Sequence, residues 1–253
     1  MNNKKPRTDL AVILAAGSGI RIREHVSVPK AMIELEGERL INRSLRFLFD
    51  AGIRQVIIVT GYRAEDFAPL ADARVRTVHN DKFAQSGSMY SLYQARPFID
   101  RDFLLLESDL YFERRAITIL QTETQNNAIL ISGRTNSGDE VYIGGRELQM
   151  DRGRISGLSK QADQVDRVMG ELTGLSLIST SLFDTMCAHA EKRFETTLKI
   201  EYESNVLHEI AGVTEIFFTR LSDLVWTEID NLDQLTRARK LIVPRIQERE
   251  KVS

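Results

Sequence analysis

The sequence has little of the chemistry on which several protein classes depend. It contains one cysteine, Cys187, so neither an internal disulfide nor a cysteine metal cluster can form. A lone cysteine fits a reducing compartment, and we expect Cys187 to be a buried helix residue. The four histidines are too scattered for a zinc motif, and we assign them no catalytic role.

The sequence also lacks an excess of positive or negative charge. Thirty-four Lys and Arg residues face 36 Asp and Glu residues, and there is no basic tract. A surface for nucleic acid or membrane is therefore not indicated, and small molecules are the expected partners. No window approaches the roughly 20 apolar residues of a membrane span, and residues 1–9 lack the apolar stretch of an export signal. We predict a soluble, cytoplasmic monomer or homodimer.

Short apolar runs alternate with helical patterns in the first half of the chain. Residues 10–16 (LAVILAA) stop at Gly17, which is typical of a strand buried on both faces of a parallel sheet. Helical spacing over residues 39–51 is followed by a second buried strand at 55–59, and the alternation continues to FLLLE at 103–107. This pattern predicts an α/β fold with a Rossmann-like, mostly parallel sheet covered by helices on both faces.

The pattern changes between residues 133 and 174, where short segments are punctuated by Gly, Asp and Ser. We predict β-hairpins that form a flap beside the main sheet, inserted in a single domain over residues 1–253. Beyond the flap we predict a return strand near 175–179. A closing helix, with apolar residues from Leu232 to Ile246 on one face, ends the pattern.

A glycine loop follows the first predicted strand. Gly17-Ser18-Gly19-Ile20-Arg21 has two residues without side-chain bulk, so its backbone N–H groups can approach phosphate oxygens closely. The dinucleotide fingerprint fails because Ile22 occupies its third glycine position, and no GK[ST] follows as a Walker loop requires. The loop is predicted to bind an anion, but through neither of these motifs.

A longer spacing continues from this loop: Gly17-x-Gly19-x-Arg21, seven residues, then Pro29-Lys30. It resembles the signature of the sugar-phosphate nucleotidylyltransferase (pyrophosphorylase) family, and the resemblance extends over nearly the whole chain. It implies that Arg21 binds the outer phosphates of an NTP and that Lys30 neutralises charge at the α-phosphate. The implied reaction transfers a nucleoside monophosphate to a small acceptor and releases pyrophosphate.

Two segments carry the resemblance on the nucleotide side. Leu14-Ala15-Ala16-Gly17 is similar to the family's opening, whose backbone lies against the base, and Asn80-x-x-Phe83-x-x-x-Gly87-Ser88 looks like its second nucleotide-contacting segment. For Ser88 a role as helix N-cap is an alternative that can coexist with nucleotide binding. The predicted nucleotide-binding residues are Leu14, Ala15, Ala16, Gly17, Ser18, Gly19, Asn80, Gly87 and Ser88.

Carboxylates follow two predicted strands. Asp109 lies just beyond FLLLE, at the strand end where open α/β sheets bind ligands, whereas Glu228 and Asp230 lie in WTEID and point to one side of an extended strand. The resemblance implies metal-binding carboxylates at both places, and Mg²⁺ suits such oxygen ligands. The alternatives are a turn residue for Asp109 and a helix cap for Asp230.

The donor and the acceptor are inferred from finer resemblance. The segments GSMYSL and TEID and the compact length are most similar to small bacterial cytidylyltransferases that activate phosphocholine or 2-aminoethylphosphonate, which implies CTP as donor. Lys160 matches the lysine that holds the acceptor's phosphate in this family. The flap region is poor in aromatic residues for a quaternary ammonium. We therefore predict 2-aminoethylphosphonate, with acceptor contacts from Glu203, Asp139, Tyr202 and Glu171.

Other functions stay open at this point. Phosphocholine, or a sugar phosphate or polyol phosphate with CTP or UTP, would use the same loop and metal carboxylates. A nucleotide-sensing regulatory domain without turnover belongs to a different class, and loss of the metal carboxylates would favour it. Asp109, Glu228 and Asp230 are all present together with Lys30, which favours an enzyme.

Overall fold

The computed structural model describes residues 6–135 and 140–251, so the predicted acceptor residue Asp139 lies outside the described residues. The strands are β1 (Leu10–Ala15), β2 (Glu34–Leu35), β3 (Glu38–Arg39), β4 (Gln55–Thr60), β5 (Val75–His79), β6 (Phe103–Glu107), β7 (Leu110–Phe112), β8 (Ala128–Ser132), β9 (Tyr142–Gln149), β10 (Arg152–Ser159), β11 (Val168–Ile178), β12 (Phe217–Leu221) and β13 (Trp226–Glu228).

The α-helices are α1 (Ile20–Arg23), α2 (Leu40–Asp50), α3 (Ser88–Gln94), α4 (Arg115–Gln121), α5 (Thr180–Phe194), α6 (His208–Ile210), α7 (Leu232–Arg237) and α8 (Val243–Glu250). Wider π-helical turns, Tyr202–Leu207 and Ala238–Ile242, lead into α6 and join α7 to α8. Short 3₁₀ helices include Lys30–Met32 and Ala64–Leu70. In the part of the chain that is described, no helix combines the length and apolar character needed to cross a bilayer.

Nine strands of the described residues form one sheet in the order β5-β4-β1-β6-β11-β8-β12-β10-β9. The α/β fold is confirmed, and the sheet is mixed. β5, β4, β1 and β6 are parallel, whereas β11 runs antiparallel to both β6 and β8. β9 is antiparallel to both β10 and β11, so β10 and β11 run in one direction, opposite to the other seven strands of the sheet.

The predicted flap contains the hairpin of β9 and β10, which packs as part of the main sheet. β10 pairs with β12, and β9 pairs with both β10 and the start of β11. Because β11 and β12 also pair with β8, these five strands form a closed ring. The ring holds the end of β10, and with it Lys160, beside the central strands.

The core lies on both faces of the sheet because neighbouring residues of each strand point to opposite sides. In β1, Leu10 and Val12 pack with residues of α3 and α5, whereas Ala11 and Ile13 pack with residues of α2 and α4. Helices therefore cover both faces, as predicted. Cys187 lies buried in α5, also as predicted.

A third apolar cluster connects the glycine loop to the end of the chain. Ile22, which occupies the third glycine position of the failed dinucleotide fingerprint, is 1% exposed and packs in a cluster with Leu235, Ile242 and Ile246 of the closing helix. This packing fixes α1 next to the segment that carries Asp230.

Candidate active site

A cleft with a cavity of about 380 Å³ lies where β1 and β6 end. Most of the predicted site residues line it together. They are Leu14, Ala15, Ala16, Gly17, Arg21, Lys30, Gly87, Ser88, Asp109, Lys160, Glu171, Glu203, Glu228 and Asp230. Ser18, Gly19, Asn80 and Tyr202 do not line the cavity wall but lie next to residues that do.

The glycine loop between β1 and α1 offers backbone donors to the cleft. In the described part of the chain, the N–H groups of Gly17, Ser18 and Gly19 donate to no protein acceptor. Gly19 has a φ of 58° and is the N-cap residue of α1, and a Cβ there would lie 3.2 Å from Cγ of Lys30. Glycine thus allows the turn and lets the loop pack against the stem of Lys30.

Lys30 forms the centre of a charge cluster. Its Nζ donates to Oδ2 of Asp109 and, at 2.5 Å, to Oδ1 of Asp230, and Arg21 donates to Oδ2 of Asp230 at 2.5 Å. Burial disfavours the charged lysine, but the two carboxylates outweigh burial and raise the pKa of Lys30 above its ordinary value. Burial acts against the charge of Asp230 as well, yet Lys30 and Arg21 lower its pKa.

A short antiparallel ladder brings the two aspartates together. β7 pairs with β13, which places Leu110 opposite Glu228, and the N–H of Ile229 donates to the carbonyl of Asp109 at 3.0 Å. The closing helix is capped by Asn231, whose side chain accepts from the N–H of Gln234. The alternative role of Asp230 as the helix cap is therefore wrong.

The aspartate pair fits a divalent cation. Asp109 and Asp230 each present an oxygen to one cationic atom, Nζ of Lys30, and the buried Oδ1 of Asp109 has no hydrogen-bond partner among the described residues. No described group of three or more His, Cys, Asp or Glu side chains could hold a metal. Mg²⁺ is commonly held by one or two carboxylates together with substrate phosphates and water, so two protein ligands suffice.

The start of α3 is packed against residues 198–201. The N–H of Gly87 donates to the carbonyl of Leu198 at 2.8 Å, and the N–H of Ser88 donates to the Glu201 carboxylate at 3.0 Å. The residue before the helix is Gly87, so Ser88 is not its N-cap. Asn80 lies behind this segment, fully buried, and donates to the hydroxyls of Ser86 and Ser91.

Replacing Gly87 by alanine is expected to destabilise the fold by about 1–3 kcal/mol. A Cβ at this position would lie 2.3 Å from the carbonyl oxygen of Ile200, which is backbone and has to shift. The free energy of unfolding, measured with urea, checks this. The matched control is Gly212→Ala, because a Cβ there meets no atom within 4 Å. Equal stability of both variants would contradict the prediction.

Carboxylates dominate the rest of the cleft. Among the described lining residues, eight Asp and Glu side chains face three basic ones. Glu203 accepts from the Ser88 hydroxyl at 3.3 Å, and Glu171 accepts from the N–H of Thr135 at 2.7 Å. Burial is the main cause that raises the pKa of Glu171, and burial with the nearby Glu201 raises the pKa of Glu203 to about 7.

Glu107 lines the cleft but was not among the site residues predicted from the sequence. The signal for Glu107 is a carboxylate that ends an otherwise apolar strand, FLLLE. Tyr202, a predicted acceptor contact, is 1% exposed and lies behind the wall, where its hydroxyl donates to Oε1 of Glu107 at 2.7 Å. Burial, followed by nearby carboxylates, raises the pKa of Glu107 well above its ordinary value.

Several known proteins have sequences similar to this one. The choline-phosphate cytidylyltransferase of Streptococcus pneumoniae is 26% identical over 230 residues, which cover 86% of this chain and 99% of that protein. CMP-5'-(3-aminopropyl)phosphonate synthase of Streptomyces rubellomurinus is 30% identical over 128 residues, 48% of this chain and 20% of that protein. Other relatives are bifunctional proteins, about half of whose length this chain spans.

The solved structure of the inositol-1-phosphate CTP transferase from T. maritima has the same fold, with a TM-score of 0.78 and 22% identity, over 95% of this chain and 97% of that one. The model of the MobA-like NTP transferase domain matches residues 11–193. This match, over most of the chain, confirms the predicted kinship with nucleotidylyltransferases. The chain belongs to the MobA-like NTP transferase domain family and is a nucleotidyltransferase.

Proposed function

We propose that this enzyme transfers CMP from CTP to 2-aminoethylphosphonate, with Mg²⁺ as cofactor, and releases pyrophosphate. One observation carries the proposal: basic groups and the aspartate pair lie together in the cleft, while Glu107, Glu201 and Glu203 line it without an ion-pair partner in the described residues. An acceptor whose anionic end binds the basic groups and whose cationic end binds the glutamates matches this arrangement. CTP as donor is supported by the cytidylyltransferases among the relatives.

The proposed reaction is an in-line displacement. An oxyanion of the acceptor attacks the α-phosphorus of CTP, and pyrophosphate leaves in the opposite direction, so no covalent enzyme intermediate is needed. Since a phosphonate is ionised at neutral pH, the protein's task is to position the two anions and to screen their charges. Bound Mg²⁺ would neutralise charge on phosphate oxygens, and Asp109 and Asp230 are the residues that would hold it; Glu228, the third predicted ligand, forms no group of three metal-binding carboxylates with them among the described residues.

Each basic residue has a separate role in this proposal. Arg21 binds the outer phosphates, and Lys30 leaves its aspartate partners to stabilise the negative charge that develops around the α-phosphorus. Lys160 binds the phosphonate of the acceptor. The backbone donors of Gly17, Ser18 and Gly19 bind phosphate oxygens, because they are not used within the described structure.

The cationic end of the acceptor is proposed to lie among the glutamates. The aromatic residues that line the cleft within the described ranges are Phe83 and Trp226, too few to enclose a quaternary ammonium. Carboxylates can instead accept directed hydrogen bonds from a primary ammonium. Phosphocholine is the second candidate because of the choline-phosphate cytidylyltransferases among the relatives. Sugar phosphates are less suitable, since they carry no positive charge to match the glutamates.

A substrate panel tests the proposal. Purified protein with Mg²⁺ is offered each NTP in combination with 2-aminoethylphosphonate, phosphocholine, inositol 1-phosphate or glucose 1-phosphate, and pyrophosphate release is followed. The expected result is the highest kcat/KM for CTP with 2-aminoethylphosphonate. A higher value for phosphocholine would favour the second candidate, and a higher value for a sugar or polyol phosphate would overturn the proposed acceptor.

The KM for 2-aminoethylphosphonate is expected to rise as the pH falls below about 7. Burial and Glu201 raise the pKa of Glu203 to about 7, so acidification converts the carboxylate that would pair with the ammonium to its neutral form. Glu203→Gln should have a higher KM at pH 8 and a shallower pH dependence than wild type, which also separates this effect from titration of the phosphonate. The same pH dependence in both proteins would rule out Glu203 as the titrating group.

A further inference from the structure

We propose that Glu107 selects acceptors with a primary ammonium group, and that Tyr202 and Gly174 position its carboxylate for this contact. This inference rests on the proposed function and names the chemical class of the acceptor more closely. It concerns a residue that ends a central strand of the sheet and not one of the glutamates on the segment that leads into α6.

Glu107 is a carboxyl side chain in the cleft wall for which the described residues supply no basic partner. It lines the cleft, and within the described residues neither Lys, Arg nor His forms an ion pair with it. Its closest electrostatic neighbours include the carboxylates of Glu203, Asp109 and Glu228. Ionisation of a carboxyl group among other carboxylates is unfavourable, and a cation that binds to the group favours its ionised form. A cationic ligand can therefore supply the counter-charge that no described basic side chain gives to Glu107.

Tyr202 leaves one oxygen of Glu107 for that ligand. The tyrosine hydroxyl, on a side chain that is 1% exposed, donates to Oε1 of Glu107 at 2.7 Å. The backbone N–H of Tyr202 donates to the Ser88 hydroxyl at 2.9 Å, which fixes the ring from a second element. With Oε1 occupied, Oε2 is the acceptor that remains, and its direction is set by the bond to Tyr202.

Gly174 keeps the space next to this second oxygen open. Its φ is 73°, and a Cβ at this position would lie 3.1 Å from both Cδ and Oε2 of Glu107. A side chain at this position would crowd Oε2, so glycine leaves this hydrogen-bond acceptor accessible. An ammonium N–H can donate directly to Oε2, whereas three methyl groups would keep a quaternary nitrogen away from the oxygen and have no proton to donate.

Binding experiments with three acceptors test this selectivity without requiring turnover. The dissociation constants of 2-aminoethylphosphonate, its N-trimethyl analogue and ethylphosphonate are measured by calorimetry in the presence of Mg²⁺ and a CTP analogue that cannot be cleaved. Wild type is expected to bind the primary ammonium at least about 10-fold more tightly than either other compound, because a hydrogen bond between charged groups has this strength.

Glu107→Gln keeps the size of the side chain and removes its charge. We expect it to raise the dissociation constant of 2-aminoethylphosphonate by about 10- to 100-fold. The dissociation constant of ethylphosphonate should change by less than about 3-fold, and that of the CTP analogue should not change. Tyr202→Phe keeps the packing of the ring. It should reduce the preference for 2-aminoethylphosphonate over ethylphosphonate by a smaller factor than Glu107→Gln does. It also provides the test if the glutamine variant does not fold.

The matched control is Glu191→Gln, because Glu191 also accepts from a tyrosine hydroxyl, that of Tyr93 at 2.8 Å, but on the exposed surface. It should leave all three constants unchanged. The inference fails if Glu107→Gln weakens all three acceptors equally, or if it leaves the preference for the primary ammonium intact. Absence of CMP transfer in the substrate panel would refute the proposed function instead, so the two failures are distinguishable.

Discussion

Lys30→Ala is expected to lower turnover by at least about 10²-fold without unfolding the protein, as expected for a charged group that acts on the transition state. The Lys30 ammonium is held between Asp109 and Asp230 at the cleft, beside the glycine loop. Charge that develops around the α-phosphorus would lie within its reach. Alanine removes this charge and leaves the backbone unchanged.

Turnover of the Lys30 variant is measured as pyrophosphate release at saturating CTP and acceptor, with circular dichroism to verify the fold. Lys240→Ala serves as the control, since Lys240 is an exposed lysine on the closing helix and does not line the cleft. It should retain wild-type turnover. Near-normal turnover of Lys30→Ala would remove Lys30 from the mechanism.

Asp109→Asn is the second substitution with a large expected effect, again at least about 10²-fold in turnover. Asparagine has the size of aspartate and can preserve the packing at the end of β6, but it lacks the charge that attracts a divalent cation. The unpartnered Oδ1 of Asp109 and the opposing Asp230 are the structural reason for expecting metal binding here.

Metal affinity gives a second readout for Asp109. Mn²⁺ binding in the presence of a CTP analogue, measured by electron paramagnetic resonance, should weaken in Asp109→Asn together with turnover. Asp233→Asn is the control because Asp233 is exposed in the first turn of α7, close in sequence to Asp230 but outside the cleft. Unchanged Mn²⁺ affinity and turnover in Asp109→Asn would refute the metal assignment.

Local sequence patterns were sufficient to predict the elements that begin the site. Each of these patterns is contained in a few neighbouring residues: the run LAVILAA, the glycines after it, and FLLLE. The structure has β1, the glycine loop and β6 at these places. The carboxyl-end rule for parallel strands then placed Asp109 at the cleft. These patterns predict structure well because they depend on the burial and backbone conformation of neighbouring residues.

Strand direction and long-range contacts were harder to predict. An apolar run has the same composition whether its strand runs parallel or antiparallel, so the reversed direction of β10 and β11 could not be predicted from the sequence. The ladder between β7 and β13, which joins Asp109 to Asp230, depends on pairing across more than a hundred residues. The position of Tyr202 behind Glu107 depends on another distant contact.

Several expectations stay predictions. They are the organisation of residues 1–253 as a single domain, the cytoplasmic location, the monomeric or homodimeric assembly, and the individual roles of the site residues. Glu107 and Glu203 both line the cleft, and burial raises the pKa of each, but Glu107 accepts from the Tyr202 hydroxyl and Glu203 from the Ser88 hydroxyl.

A crystal structure with Mg²⁺ and a CTP analogue that cannot be cleaved tests the central claim most directly. The account predicts triphosphate oxygens on the backbone of residues 17–19 and on the side chains of Arg21 and Lys30, with a metal ion bound by Asp109 and Asp230. A triphosphate bound elsewhere, with no phosphate oxygen at the glycine loop, would contradict it.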